Sequence, residues 1–213
     1  MPDLNFEVEG AEPVTYAASP LLAFRLRITA DNEQTEIHSV MLRCQIMIEP
    51  TKRHYNPDEQ KHLYELFGEP ERWSQTLRTM LWTHASVGVP RFQGSTIIDL
   101  PVPCTFDFNV AATKYFYALE EDEVPLSLLF SGSIFYAGEN IPMQVTQISW
   151  EKEARYRLPI DVWRKMMEHY YPNSAWLCLR KDTFQRLYDY KVSAGFTSWE
   201  QTLDSLLIPN EKT

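Results

Sequence analysis

Glycine is scarce in this chain, with seven in 213 residues, and the glycine-dependent motifs are missing with it. There is no G-x-x-x-x-G-K-S/T, no G-x-G-x-x-G and no G-x-S-x-G, which excludes the usual backbone cradles for phosphates and the nucleophile elbow. H-E-x-x-H is absent too. Cysteine is rare: Cys44, Cys104 and Cys178 are far apart and odd in number. That excludes a disulfide framework and a zinc knuckle and favours a reducing compartment. Met1 to Gly10 has neither the basic nor the apolar stretch of a secretory signal. No apolar run approaches the roughly 20 residues of a membrane span. The expectation is a cytoplasmic protein with no membrane insertion. Cationic surplus is lacking as well: the formal net charge is -9, which works against nucleic-acid binding. Arg25 and Arg27, the nearest thing to a basic cluster, alternate along a strand and read as solvent-facing.

Apolar residues are plentiful, at 44% with 13% aromatic, enough for a substantial core. Their spacing is mostly two. Leu22, Phe24, Leu26 and Ile28 share one parity; so do His38, Val40, Leu42, Cys44, Ile46 and Ile48. A third set is Ile98, Leu100, Val102, Cys104, Phe106, Phe108 and Val110, and a fourth is Val124, Leu126, Leu128 and Phe130. Such alternation predicts half-buried strands. Pro101 and Pro103 cannot donate to a ladder, which places the first half of their strand at a sheet edge or between two sheets, with a crossing from one sheet to the other near the prolines. The parity change at Tyr115 and Tyr117 suggests a bulge. Met80 to Val89 and Met143 to Trp150 are further strands, and short turns link the set. That pattern predicts an antiparallel β-sandwich rather than a doubly wound fold.

Helical signals interrupt the strands at about 57–79, where Asn56-Pro57-Asp58-Glu59 forms a helix start and Gly68 a stop. They dominate after residue 156. Pro159 to Tyr170 carries one apolar side; Trp176 to Leu179 reads as a short strand. Asp182 caps a helix, and Thr197 to Glu200 fits a capping box before the last. The predicted class is α+β. A sandwich domain at 1–155, with the insertion, supports a helical region at 156–213.

Chemistry is harder to find. Ser131-Gly132-Ser133 lies within a strand, not at a strand-to-helix turn, so it reads as structural. His38 and Cys44 share a strand face but sit about 20 Å apart, too far for one metal. His84 and Cys104 could meet if their strands pair, though two ligands fall short of a zinc site. Asp99 and Asp107 are too far apart for a two-carboxylate site. Glu120 to Glu123 reads as a solvated acidic turn without calcium-loop spacing. No catalytic residue and no cofactor is expected. Six tryptophans exceed the needs of one small core, and Trp and Tyr anchor interfaces. The expected partner surface is Phe67, Arg72, Trp73 and Trp82 together with the edge prolines Pro101 and Pro103.

The segments IHSVMLRCQIMIEP (37–50), LFGEPERW (66–73), LWTH (81–84), DLPVPCTFDFNVAATKYFYAL (99–119), PLSLLFSGSIFY (125–136) and YPNSAWLCLRKDTFQRLYDYK (171–191) resemble an uncharacterised bacterial family of unknown function. The resemblance spans nearly the whole chain and implies no catalytic residue. It implies genes neighbouring those of NiFe hydrogenases, and hence an accessory, assembly or maturation role. The leading expectation is therefore a non-catalytic protein that binds a protein partner, such as a redox-enzyme complex. One alternative is a metal-handling protein or enzyme with a site gathered from His84, Cys104 and His38. Another is a chaperone that pairs extended chains with an open sheet edge.

Overall fold

The computed structural model describes residues 1–207 apart from 106, 108–109, 121, 139–141 and 175–176. The strands are β1 (Leu4–Pro13), β2 (Leu21–Ala30) and β3 (Glu36–Ile48). Three short helices follow, α1 (Pro57–His62), α2 (Tyr64–Phe67) and α3 (Trp73–Thr76), then β4 (Met80–Val89), β5 (Phe92–Gln93) and β6 (Ser95–Pro103). Next come α4 (Ala111–Ala118), β7 (Glu123–Tyr136), β8 (Gln144–Gln147), β9 (Glu153–Pro159) and α5 (Ile160–Tyr170). The last helices are α6 (Lys181–Ser193) and α7 (Trp199–Leu207). The chain divides into two compact units, Met1–Trp176 and Leu177–Thr213. The change of domain expected at residue 156 falls inside β9.

The first unit is the two-sheet α+β fold that the alternation predicts. One sheet has the order β1-β2-β6. The other runs β4-β3-β7-β8, with β5 added on β3 and β9 on β7; every pairing is antiparallel. Inward residues of β2 (Leu22, Phe24, Leu26, Ile28) and of β3 (Val40, Leu42, Cys44, Ile46, Ile48) are buried in one core. Phe6 stacks on Phe130 across the layers at 4.2 Å, and Phe24 meets Tyr156 edge-on at 5.6 Å. Removing this greasy surface from water is the main stabilising term of such a layered fold. Pro101 and Pro103 lie on the edge strand β6, and the chain then crosses to the other sheet through α4.

Several expectations change. A register shift between Ile37 and Ser39 turns Ile37 inward and removes His38 from the buried parity. The strand expected to run on past Cys104 stops at Pro103. Ala111–Ala118 is instead a helix that buries Tyr115 and Phe116, so the parity change there marks helical spacing rather than a bulge. The expected positions Phe106 and Phe108 lie outside the described residues. Met143 to Trp150 holds only the four-residue β8. The alternation of Ala154, Tyr156 and Leu158 makes an additional strand, β9. Leu177 to Leu179 is not strand; Trp176 lies outside the described residues.

Helical additions close one end of the sandwich. Asn56 caps α1 by accepting from Asp58 N and Glu59 N, and Glu59 returns a bond to Asn56 N, the expected capping box. Gly68 (φ 72°) ends α2 in a conformation that a Cβ would oppose. Tyr170 donates to Val14 O (2.6 Å) and accepts from Ala17 N (3.0 Å), while His169 Nε2 lies 2.8 Å from Thr15 O. These contacts fasten α5 to the loop after β1.

Candidate interaction surfaces

The outward parity of the six-stranded sheet is the most distinctive surface of the first unit. Antiparallel register sets its rows. Arg43 on β3 stands opposite Ser86 on β4 and Ser131 on β7. Met41 stands opposite Gly88 and Ser133, and Ser133 opposite Gln147 of β8. The side chains beside Arg43 and Met41 are small, so an open groove of about 660 Å³ runs across the sheet, lined by Met41, Arg43, Ser86, Ser131, Ser133 and Gln147. Met41 is 60% exposed on its wall. Gln147 Nε2 donates to Ser133 Oγ at 3.1 Å.

Further along the same face, Arg155 and Arg157 of β9 project outward, opposite Ser127 and Pro125. With Lys52 they line a second groove of about 370 Å³. Arg155 pairs with Glu153 (3.2 Å) and Lys52 with Glu49 (3.4 Å). Arg43 and Arg157 form no ion pair among the described residues.

The outer face of the three-stranded sheet differs. There Glu9 holds both Arg25 and Arg27, Glu7 lies opposite Arg27, and Asp99 opposite Arg25. In a chain of net charge -9, Arg25 and Arg27 on this sheet are neutralised by Glu9, whereas Arg43 and Arg157 on the other have no ion pair among the described residues.

The anticipated partner residues are distributed differently. Phe67 and Trp82 are core side chains, and Trp73 is half-buried with its indole N–H on Gly68 O (3.0 Å). Phe67, Trp73, Tyr55 and Tyr115 form an edge-to-face cluster. Arg72 and Pro103 are exposed and Pro101 half-buried. Beneath the cluster, Glu59 Oε1 accepts from Arg53 (2.8 Å) and from Glu120 N (3.0 Å), with both side chains of the ion pair buried. The Tyr55 hydroxyl donates to Pro50 O and meets the Tyr115 hydroxyl, each at 2.7 Å. Burial pushes the Tyr115 phenol up to about 12 and the Tyr55 phenol further, the latter also raised by Tyr115.

His84 and Cys104 are not brought together. His84 is exposed on β4 of one sheet, whereas Cys104 is buried beyond β6 of the other. Cys44 is equally buried, and loss of hydration pushes both thiols up to about 12. His38 contacts Pro142 O (3.1 Å) and Glu36 (3.5 Å). No group of three metal-ligating side chains gathers among the described residues.

The second unit is a helical pair. Gly195 (φ 73°) ends α6, where its N–H bonds Val192 O and Phe196 N bonds Lys191 O. The Lys191 ammonium bridges Phe196 O (2.9 Å) and Thr197 O (3.1 Å). α7 starts one residue later than the expected box: Ser198 accepts from Gln201 N, and Gln201 in turn accepts from Thr197 N. Phe184, Tyr188 and Trp199 make ring contacts with one another. No hydrophobic residue described in this unit is buried. Leu177, Phe184, Tyr188, Val192, Leu206 and Leu207 are all exposed.

Sequence reasoning passed over Arg43, Arg155 and Arg157 because the overall charge is negative. Counting charges by outward parity would have found Arg43 on β3, whereas Arg155 and Arg157 need β9 to be read as a strand first. No described helix is long and apolar enough to cross a membrane. No curated protein matches the chain. Among solved structures, β-glucosidase 3B from Thermotoga neapolitana in complex with α-D-glucose is similar at a TM-score of 0.23 and 13% identity over 72% of this chain. The chain spans 17% of the length of that protein. A family model matches residues 1–213, and the chain accordingly belongs to the family of unknown function DUF6084.

Proposed function

We infer that this protein is a non-catalytic accessory protein that holds a folded protein partner through its C-terminal helical pair. One observation carries the reading: residues 177–207 bury no described hydrophobic side chain, yet α6 exposes Phe184, Tyr188 and Val192 and α7 exposes Leu203, Leu206 and Leu207. A unit of this size cannot build a core of its own. Helices this short owe most of their stability to an apolar surface that covers them. Exposed apolar side chains in such a number mark a binding face. Amphipathic helices satisfy such a face by lying in a hydrophobic groove of a folded subunit. The family resemblance favours a redox-enzyme complex, with a NiFe hydrogenase as the first to try.

The test is affinity capture of the full chain from cells that express its own gene neighbourhood, beside a Leu206→Asp/Leu207→Asp variant. A stoichiometric partner retained by the unaltered chain and lost by the variant supports the reading. Equal retention by the variant, or no partner at all, overturns it.

A further inference from the structure

We propose that the outer face of the six-stranded sheet binds an extended acidic segment of a polypeptide, with Arg43 as the anchor for one of its carboxylates. This face belongs to the first unit, and the inference stands or falls without the reading of the helical pair.

Geometry and charge support the proposal independently. A guanidinium binds a carboxylate by two parallel N–H donors. Arg43 offers that fork at the centre of an open groove, with Ser86 and Ser131 directly across both neighbouring strands. Their hydroxyls can donate to the same carboxylate from either side. Gly88 on one side and Ser133 on the other keep the groove low enough for a second backbone to approach. Four residues along β7, Arg155 and Arg157 continue the positive face on β9. At about 3.3 Å per residue that is roughly 13 Å, the reach of about four residues of extended chain. One acidic segment can therefore meet both ends.

Charge complementarity selects the occupant. The only acid on the outward rows of β3, β4, β7, β8 and β9 between Arg43 and Arg155 is Glu153, already paired with Arg155. The rest of the molecule is strongly negative. A long polyanion such as RNA would run off the patch into that negative field. A short acidic peptide ends before it does. The opposite sheet supplies the contrast, because Arg25 and Arg27 there are occupied by Glu9.

The test uses the full-length protein and a fluorescein-labelled deca-glutamate peptide, followed by fluorescence anisotropy at about 0.01 M and about 0.15 M salt. Binding is expected at the lower salt and weaker at the higher. Arg43→Gln and Arg157→Glu are each expected to weaken it roughly tenfold, the scale of one charge-assisted contact. Arg25→Glu, which shifts net charge as Arg157→Glu does, is expected to change it less than about twofold. All three side chains are exposed, so circular dichroism and the melting curve of each variant are expected to match the parent. No binding by the parent chain overturns the proposal. So does equal loss in Arg25→Glu and Arg157→Glu, or a decathymidylate that binds as tightly as the peptide.

Discussion

At the scale of single residues, the most consequential group is Glu59, a carboxylate only 2% exposed. It ends three lines of structure at once: the Arg53 guanidinium, the N-cap of α1 and the backbone N–H of Glu120. Deleting one partner of a buried pair leaves the other charge without compensation, which costs about 3–5 kcal/mol. Glu59→Ala is expected to lose that much in urea unfolding, whereas Asp58→Ala, on the exposed side of the same turn, is expected to leave the urea midpoint nearly unchanged. The buried thiols give a second prediction. Cys44 and Cys104 are pushed up to about 12 from an ordinary 9.0, so the native state keeps protons that the unfolded chain releases. The unfolded state binds fewer protons above pH 9, and stability falls as pH rises from there toward 12. The contribution is fully present below pH 9. At pH 8 a thiol reagent is expected to label Cys178, which is exposed, in the native chain. Cys44 and Cys104 are expected to react only after unfolding.

At the scale of elements, β7 organises the larger sheet because it pairs with β3 along one side and with β8 and β9 in succession along the other. Between those two partners the chain loops out through Ile148–Lys152 and exposes Trp150 by 90%. Gly132 sits opposite this loop at φ 141°, where a Cβ would come within 2.0 Å of Met41 O. Gly132→Ala is therefore expected to cost about 1–3 kcal/mol or more, read as a lower thermal midpoint. A Ser133→Ala control is expected to leave that midpoint within a degree or two.

The strand pattern was open to sequence reasoning because period two survives wherever one face meets a core. Leu22 to Ile28 and Val40 to Ile48 show it without interruption. Failures came where tertiary packing overrode a local signal. Ala111–Ala118 continues the alternating texture of β6, but as a helix it delivers Tyr115 and Phe116 to the aromatic cluster. A register shift of one residue at Ile37 moved His38 outward, an event without a sequence mark. β9 was hidden differently, since its inward parity is only three residues long, Ala154, Tyr156 and Leu158, with Arg155 and Arg157 between them. The candidate anion groove was hidden most thoroughly. It depends on which serines stand beside Arg43, and register across three strands is not written in any one of them.

At the scale of the whole molecule, the buried core is confined to the first unit: its members run from Leu4 to Met167. That distribution predicts two very different fates for the two units when each is expressed alone. Residues 1–176 keep every described buried hydrophobic side chain and are expected to unfold cooperatively, with a thermal midpoint within about 4 °C of the full chain. Residues 177–213 are expected to show little helical circular dichroism, because two helices without a buried hydrophobic residue cannot offset the entropy of ordering their backbone. Ordering on contact with a partner would then draw on the binding energy itself, which lowers affinity per unit area but leaves the complex easy to release. Reversible capture suits an accessory protein better than permanent assembly does. Added to the captured partner, the isolated segment is expected to gain helical signal, and Leu206→Asp/Leu207→Asp to abolish the gain. A segment already helical by itself would mean that the apolar face is not waiting for a partner.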